Sequence, residues 1–392
     1  MRKWMMARGL ALLVAVALLV TGMAAPASAA TKEDGVSLEL NCRGAVLMEA
    51  STGKVLYAQN AEEAMPPASV TKIMTLLLVM EALEAGKLSW ETPVTASAHA
   101  ASMGGSQIYL KEGETMSARD LVKSVVIASA NDAAVALAEH VAGSEEAFVR
   151  RMNERAAELG MRSTHFENTN GLDDTAKNHV TSALDIAIMS RALIAHKEIL
   201  TYSSTWMDTI RDGAFGLTNT NRLVRFYRGC NGLKTGSTAK AGFCVSATAE
   251  RDGMTLICVI MGAESRDVRN AAAQRLLDWG FASYGVYQAA AGVLDAHPVL
   301  RGTKDAVGLS YPSFSAVLPK ADMAGVEFTV TLPERLTAPV RCGEAVGKIT
   351  YTCKGERIGE VPILATETSE ALDFFALWTR MLRGMLTMYG KS

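Results

Sequence analysis

The sequence lacks the patterns by which a metal protein or a repeat protein is usually recognised. Its six cysteines show no CxxC or Cys/His spacing, and its 392 residues contain no internal repeat and no low-complexity tract. Neither a metal nor a cofactor is therefore expected. For disulfides, Cys342 and Cys353 could close a hairpin, whereas partly buried free thiols suit the other four at least as well: Cys42, Cys230, Cys244 and Cys258.

An excess of positive charge is also missing, since 39 Lys and Arg stand against 41 Asp and Glu, for a net charge of -2. A chain without a clustered positive field is a poor nucleic-acid binder, so no nucleic-acid partner is expected. Charged residues at 20% and hydrophobic residues at 49% indicate an ordinary globular protein rather than a disordered one. The length is sufficient for two domains.

The N-terminus lacks a hydrophobic run long enough to span a bilayer comfortably. Three basic residues precede an apolar run over residues 10–20, and a small-residue stretch ends at Ala29. This pattern predicts a secretory signal peptide over residues 1–29, cleaved after Ala29. We therefore expect an exported protein, with an uncleaved anchor as the alternative.

Strand and helix patterns follow along the chain. Residues 45–49 and 54–59 are predicted to form a hairpin, and helical periodicity runs over residues 69–84. Further helices are predicted at residues 118–128, 133–141, 145–159, 182–195 and 266–284. Further strands are predicted at residues 232–235, 243–249 and 255–261. Because strands flank an inserted helical region, we expect an α/β (α+β) domain with an antiparallel sheet and a helical subdomain over residues 30–287.

The C-terminal part has a different texture. Short alternating segments, separated by Pro, Gly and charged turns, predict a small all-β domain over residues 288–368. Residues 369–392 then place polar and basic side chains opposite one apolar helical stripe, formed by Leu372, Phe375, Trp378, Leu382, Met385 and Tyr389. This pattern predicts an amphipathic helix that lies in the membrane surface; a helix packed on its own domain is the alternative.

Ser69 and Lys72 form the first motif that could carry chemistry. They stand three residues apart at a predicted helix start, so their side chains share one helix face. A serine hydroxyl needs an adjacent base to react, and a lysine whose pKa is lowered by burial and cationic neighbours can be that base. The helix N-terminus also favours developing negative charge. Alone the pair is weak evidence, since a serine before a helix is commonly an N-cap.

Two further motifs add to this pair. Ser129 and Asn131 lie between predicted helices, where the hydroxyl can relay a proton and the amide can bond a substrate carbonyl and the lysine. The last motif consists of Lys234, Thr235, Gly236 and Ser237. It occupies a predicted strand, whose edge could pair with an extended peptide. Taken separately, the second motif could be a loop cap, and the third could be a surface strand with a solvated lysine.

Together the motifs match the Ser-x-x-Lys, Ser-x-Asn, Lys-Thr-Gly set in order and in context. The chain resembles the penicillin-binding serine D,D-peptidases, most closely the low-molecular-mass D-alanyl-D-alanine carboxypeptidases, over essentially its whole length. That resemblance implies removal of the terminal D-alanine from peptidoglycan pentapeptide stems through an acyl-enzyme, and acylation of the same serine by β-lactam antibiotics. It also implies a location at the outer face of the cytoplasmic membrane, on the cell-wall side.

The same resemblance assigns roles to individual residues. Catalysis would fall to Ser69, Lys72 and Ser129. Substrate binding would fall to Asn131, Lys234, Thr235, Gly236, Ser237 and Arg269. Within these sets, Lys72 would be the base, the backbone N–H groups of Ser69 and Ser237 would form the oxyanion hole, and Arg269 would face the substrate carboxylate. Arg266 lies close to Arg269 in the sequence, so the choice between the two arginines stays open here.

Two other functions share these motifs. A class A β-lactamase would need a glutamate to activate the deacylating water, and Glu167 is the candidate; the loop around it, however, resembles the carboxypeptidases better. A catalytically silent cell-wall-binding protein would be expected to lose a motif residue, and none is lost. His179 occupies a position where the family often has tyrosine, and we expect a structural role for it rather than a role as base.

Overall fold

The computed structural model describes residues 38–173, 176–376, 378–379 and 382. The predicted signal peptide, residues 1–29, and most of the predicted C-terminal helix lie outside these residues. Within the described part of the chain, no helix has the length and apolar character needed to cross a bilayer.

The described elements are numbered in chain order. The helices are α1 (Lys72–Glu84), α2 (Ala98–Ala101), α3 (Ala118–Lys123), α4 (Asn131–Ala142), α5 (Glu145–Glu158), α6 (Ala183–Ala195), α7 (Glu198–Ser203), α8 (Leu223–Phe226) and α9 (Arg266–Ser283). The strands of the first part are β1 (Gly44–Glu49), β2 (Val55–Gln59), β3 (Pro93–Thr95), β4 (Thr115–Ser117), β5 (Met207–Ile210), β6 (Phe215–Thr218), β7 (Cys230–Thr238), β8 (Gly242–Arg251) and β9 (Met254–Ala263). The strands of the second part are β10 (Tyr284–Ala289), β11 (Gly292–Leu300), β12 (Ala306–Tyr311), β13 (Phe314–Pro319), β14 (Val326–Thr331), β15 (Leu336–Thr337), β16 (Ala345–Cys353) and β17 (Glu356–Ala365).

A five-stranded antiparallel sheet with the order β2-β1-β9-β8-β7 organises the first part. The first two strands precede the helical region and the other three follow it, which confirms the predicted α/β arrangement. Side chains alternate across β1: Val46 packs with the inserted helices, whereas Leu47 packs against α9 on the other face. The sheet is therefore covered on both faces, and β7 forms one of its edges.

The second part is built of strands, as predicted. A six-stranded sheet has the order β14-β16-β17-β12-β11-β15, and β10 pairs with β13 beside it. A separate apolar core, which includes Val307, Ile349 and Ile363, fills this part.

Two predicted helices differ locally from the structure. The helix predicted over residues 69–84 begins as a 3₁₀ turn, Ala68–Thr71, and becomes α-helical only at Lys72. The helix predicted over residues 118–128 ends as α-helix at Lys123 and continues as a π-helical turn, Ser124–Ala128. Both irregular turns lead directly into motif residues.

The suggested Cys342–Cys353 disulfide is wrong. The thiol of Cys342 is exposed and donates to the Thr366 carbonyl, whereas that of Cys353 is buried and donates to the Asp322 carbonyl. All six cysteines lie among the described residues and are free thiols. The two sulfurs point to different neighbours because Cys342 precedes the β16–β17 hairpin rather than facing Cys353 across it.

The predicted start of the C-terminal helix at residue 369 is also wrong. Ser369 is fully buried and forms an antiparallel bridge with Val340, and Ala371 forms one with Gly302. Helical residues begin at Phe374, after Asp373, whose carboxylate accepts from the Ala376 N–H at 2.7 Å. The β domain therefore holds the first residues of the segment, and the helix begins only where an N-cap carboxylate is available.

Candidate active site

Ser69 lies on the 3₁₀ turn that precedes α1. This turn is held by unusual backbone geometry, since Ala68 has a φ of 50°, in the left-handed region. Two glycines pack directly against it. A Cβ on Gly171 would lie 1.9 Å from the Ala68 carbonyl oxygen, and one on Gly236 would lie 2.7 Å from the Ser69 nitrogen. Only glycine fits these two positions. The loop that contains Gly171 and the strand β7, which contains Gly236, can therefore approach the backbone of Ser69 closely.

The Lys72 amine lies at the centre of the site and is fully buried. Its Nζ is 2.8 Å from Ser69 Oγ, 2.6 Å from Asn131 Oδ1 and 2.7 Å from the Asn170 carbonyl oxygen. The last two atoms can only accept hydrogen bonds. When the amine is neutral, these two acceptors can take its two N–H groups, which leaves the lone pair facing the Ser69 hydroxyl; when it is charged, its third N–H donates to Ser69 Oγ. In its neutral form, Lys72 is therefore placed to take the serine proton.

The electrostatics of the site favour a neutral Lys72. Burial lowers its pKa well below the ordinary lysine value, and the positive charge of Lys234 lowers it further. Lys234 is itself buried, and this, together with the charge of Arg269, lowers its pKa to about 7. Burial and the neighbouring Arg266 lower the pKa of Arg269 to about 10. Cations crowd this region, and burial penalises the charged form of each.

Ser129 and Asn131 enter the site from the π-helical turn. Ser129 ends that turn with a φ of 63° and is almost fully buried. Asn131 begins α4, and its side-chain amide donates to the Gly104 carbonyl at 2.7 Å. Because that bond fixes which end of the amide is nitrogen, Oδ1 must face Lys72. One N–H of the amide remains for a further partner.

The third motif lies on the edge strand β7, beside the nucleophile turn. Gly236 pairs with Cys244 of β8, and Thr235 Oγ1 donates to Thr220 Oγ1 at 2.8 Å. Ser237 is exposed, whereas Lys234 is buried and donates to the Thr235 carbonyl at 2.9 Å. The strand thus presents its edge and the exposed Ser237 to the space in front of Ser69.

That space is a cleft of about 550 Å³. Six of the predicted site residues line it: Ser69, Ser129, Thr235, Gly236, Ser237 and Arg269. The other three predicted residues are buried next to these: Lys72 bonds both Ser69 and Asn131, and Lys234 precedes Thr235 in the same strand. The structure therefore brings together in one place all nine residues selected from the sequence.

Other residues of the site were not selected from the sequence. Arg222, Thr220 and Ser106 line the cleft, as does Arg266 beside Arg269. The Asn170 carbonyl bonds Lys72, although the sequence indicated only that the surrounding loop resembles the family. A backbone carbonyl has no residue-type signature, and Arg222 belongs to no motif, so neither could be found by pattern alone.

Glu167 and His179 have other partners. The Glu167 carboxylate accepts from the backbone N–H groups of Lys177 and Asn178, and its side chain is exposed. His179 Nδ1 accepts from the Glu167 N–H, and its Nε2 lies 2.7 Å from Thr71 Oγ1. Both nitrogens of the ring are engaged, in keeping with the structural role expected for this histidine.

Ser69, paired with the buried Lys72 beside the edge strand β7, defines a serine acyl-transfer enzyme of the penicillin-recognising type. The family model described as D-alanyl-D-alanine carboxypeptidase matches residues 28–265, and that described as penicillin-binding protein 5, C-terminal domain, matches residues 285–371. The chain belongs to the D-alanyl-D-alanine carboxypeptidase family. It is accordingly a serine-type peptidase, with the penicillin-binding fold.

Individual relatives agree with this family. The D-alanyl-D-alanine carboxypeptidase DacF of Bacillus subtilis (strain 168) is 40% identical over 369 residues, covering 91% of this chain and 93% of its own length. Penicillin-binding protein 5 of Haemophilus influenzae superposes with a TM-score of 0.73 at 30% identity, covering 86% of this chain and all of that one. Penicillin-binding protein D2 of Listeria monocytogenes in its ampicillin-bound form has a TM-score of 0.58 at 35% identity, covering 63% of this chain and all of that one.

Proposed function

We propose that this protein removes the terminal D-alanine from the pentapeptide stems of peptidoglycan, through an acyl-enzyme formed on Ser69. The observation that carries the proposal is the set of three hydrogen bonds at Lys72, which direct the lone pair of a neutral amine at the Ser69 hydroxyl. The family of the chain supplies the substrate class.

In the acylation step, Lys72 takes the proton of Ser69 as Oγ attacks the carbonyl carbon of the penultimate D-alanine. Negative charge then develops on the carbonyl oxygen, and the backbone N–H groups of Ser69 and Ser237 stabilise it. The contact between Gly236 and the Ser69 nitrogen supports this assignment, because it brings strand and turn close enough for both donors to reach one atom. Asn131 positions the substrate and the lysine together.

The free carboxylate of the substrate binds at the far end of the cleft. We assign it to Thr235, Arg269 and Lys234, and we add Arg222, which lines the same cleft. A guanidinium can hold a carboxylate through two parallel hydrogen bonds, so these arginines select a peptide with a free C-terminus. This requirement makes the enzyme a carboxypeptidase rather than an internal peptidase.

Breakdown of the first intermediate releases D-alanine. The proton held by Lys72 passes through the Ser129 hydroxyl to the leaving amine, and the C–N bond breaks to leave an ester on Ser69. A water molecule then attacks the ester, giving its proton to Lys72, and the tetrapeptide stem leaves as the free acid. The serine regains its proton, which completes the cycle.

β-Lactam antibiotics acylate the same serine in this proposal. The likeness to a structure obtained with ampicillin bound supports β-lactam binding. A β-lactamase activity is not favoured, because the Glu167 carboxylate is held by the N–H groups of Lys177 and Asn178 rather than facing Ser69. A catalytically silent wall-binding protein is not favoured either, because the geometry of Lys72 is that of a functioning base.

We further propose that the protein acts outside the cytoplasm, held at the outer face of the cytoplasmic membrane by its C-terminal helix. Three aromatic side chains at the start of that helix are exposed: Phe374, Phe375 and Trp378. Exposed aromatic side chains on an amphipathic helix suit the boundary between headgroups and acyl chains.

Peptidase and β-lactamase activities are separated by two measurements on one preparation. D-Alanine release from a synthetic pentapeptide ending in D-Ala-D-Ala is expected, together with a penicilloyl adduct that lasts for minutes or longer. Rapid turnover of penicillin without D-alanine release would replace the carboxypeptidase assignment with β-lactamase. Absence of both would favour the silent scaffold.

A further inference from the structure

His179 is a buried histidine that the proposed chemistry does not use. Its Nε2 lies 2.7 Å from Thr71 Oγ1, and its Nδ1 accepts from the Glu167 N–H at 3.0 Å. The ring packs edge to face with Phe166, with 5.7 Å between ring centres. It lies behind the nucleophile turn, where it lines a small pocket with Pro66 and Lys177 rather than the cleft in front of Ser69.

These contacts determine where the ring proton is. A backbone N–H can only donate, so Nδ1 is unprotonated and Nε2 carries the hydrogen. Nε2–H then donates to Thr71 Oγ1, which leaves the threonine hydroxyl to donate to the Ala68 carbonyl oxygen, 2.8 Å away. Burial lowers the pKa of His179 to about 4, in agreement with a neutral ring. The bonds run in one direction, from Glu167 to Ala68.

Ala68 is the residue that this relay reaches, and its backbone needs support. A φ of 50° is disfavoured for alanine and persists only where neighbouring groups hold it. The Ala68 carbonyl is fixed by the Thr71 hydroxyl, and Gly171 packs against the same atom. Ser69 comes next in the chain, so the orientation of the Ala68 peptide determines where the Ser69 N–H and side chain point.

We propose that His179 is a positioning residue: through Thr71 it holds the left-handed turn at Ala68 and so places the Ser69 hydroxyl against Lys72. The inference rests on the proposed function, because it concerns the placement of the same nucleophile. His179 is thus neither a base nor a passive core residue. Its hydrogen on Nε2 gives it the positioning role, because that hydrogen bonds Thr71.

Two substitutions of His179 separate its two nitrogens. In His179→Gln the side-chain amide can reach the position of Nε2 and donate to Thr71. In His179→Asn the shorter amide can meet the Glu167 N–H but does not reach Thr71. We expect penicillin acylation of the full chain at saturating antibiotic to slow about tenfold in the Asn variant, because the Thr71 hydroxyl loses its buried donor. The Gln variant is expected to remain within about threefold of the wild type.

Thr71 offers a matched pair of its own. Thr71→Val keeps the shape but removes the hydroxyl, and Thr71→Ser keeps the hydroxyl. We expect about a tenfold loss in the Val variant and a small loss in the Ser variant. Because both residues act through the same bond to Ala68, the double variant His179→Asn, Thr71→Val should be no more than about twofold slower than either single variant.

The readout is the acylation rate constant together with the fraction of protein that reacts, obtained by mass spectrometry. A positioning role predicts full reaction at a lower rate. A role in stability alone predicts a smaller reactive fraction that acylates at the wild-type rate, and this result would overturn the inference. Additive losses in the double variant, or equal rates in all variants, would also overturn it. An unreactive wild type would refute the proposed function itself, and the inference with it.

Discussion

At the scale of single residues, the central feature is how the Lys72 amine is satisfied. Two pure acceptors, Asn131 Oδ1 and the Asn170 carbonyl, take the two N–H groups that a neutral amine has. A charged amine would have a third N–H, which would have to point at Ser69 and so remove the lone pair that the reaction needs. The geometry holds the amine in either charge state, and the lowered pKa is what makes the neutral form, with its lone pair toward Ser69, available.

Lys234→Gln tests the electrostatic part of this account. Acylation requires neutral Lys72, so its rate should rise with pH through the Lys72 pKa. Lys234 lowers that pKa while it is charged, which is mainly below pH 7, given its own pKa of about 7. Removing the charge should raise the Lys72 pKa and move the acid limb of the pH profile upward by about one unit.

The position of this limb is read from acylation rates at saturating penicillin between pH 4 and pH 9, so that weaker binding does not interfere. Lys240→Gln is the matched control, since Lys240 is an exposed lysine beyond the end of the same strand. Its limb should stay at the wild-type pH. A Lys234→Gln limb that moves downward, or not at all, would contradict the proposed coupling.

The site residues that could be found from the sequence were those with reactive or charged side chains in a known motif. The three motifs selected, among others, Ser69, Ser129 and Lys234, and the structure places all three at one site. The Asn170 contribution was beyond reach, because a carbonyl oxygen is presented by every residue. Arg222 was beyond reach for another reason, because it belongs to no motif and lines the cleft only through the fold of the loop before α8.

At the scale of elements, the site depends on how closely β7 packs on the nucleophile turn. Gly236→Ala tests this directly. The added Cβ would lie 2.7 Å from the Ser69 nitrogen and 2.8 Å from both the Pro67 oxygen and the Val70 nitrogen, and backbone atoms cannot move aside cheaply. Strand and turn would separate, and we expect acylation to slow by about a hundredfold or more.

Gly216→Ala is the control for this substitution. Gly216 is also a strand glycine, on β6, and an added Cβ there meets nothing within 4 Å. Its acylation rate should match the wild type. Near-normal acylation of Gly236→Ala would mean that close approach of β7 does not set the geometry at Ser69.

The sequence predicted the main elements well and their irregular ends poorly. Short apolar runs identified the strands on both sides of the helical region, because strands buried on both faces carry nearly continuous apolar sequence. The 3₁₀ turn at Ala68–Thr71 and the π-helical turn at Ser124–Ala128 are each about one turn long, too short for a different period to show in the sequence. Their departures arise from tertiary contacts such as that between Gly171 and Ala68, which a local pattern does not contain.

At the scale of the whole molecule, the boundary between the β domain and the C-terminal helix can be located. Ser369 accepts from the Lys304 N–H at 3.1 Å and bridges Val340, and the Leu372 N–H donates to the Arg301 carbonyl at 2.8 Å. Residues up to 372 therefore belong to the β domain. A chain that ends at residue 372 should leave the membrane fraction yet acylate at the wild-type rate.

A chain that ends at residue 368 is the comparison. It lacks the helix too, but it also loses the bridges of Ser369 and Ala371, and a loss of about 2 kcal/mol would lower the melting temperature of a unit the size of the β domain by about 8 to 16 °C. Both chains are compared by membrane fractionation and by thermal unfolding. Membrane association that survives in the chain ending at 372 would refute the anchor, and equal melting temperatures would refute the boundary.

Whether Ser69 is the nucleophile can be determined by labelling the protein with penicillin. Purified wild-type protein and its Ser69→Ala variant are incubated with fluorescent penicillin, and the modified peptide is identified by mass spectrometry. We expect one adduct per wild-type chain, on Ser69, and no adduct on the variant. Labelling that persists in Ser69→Ala, or a wild type that is not labelled, would contradict it.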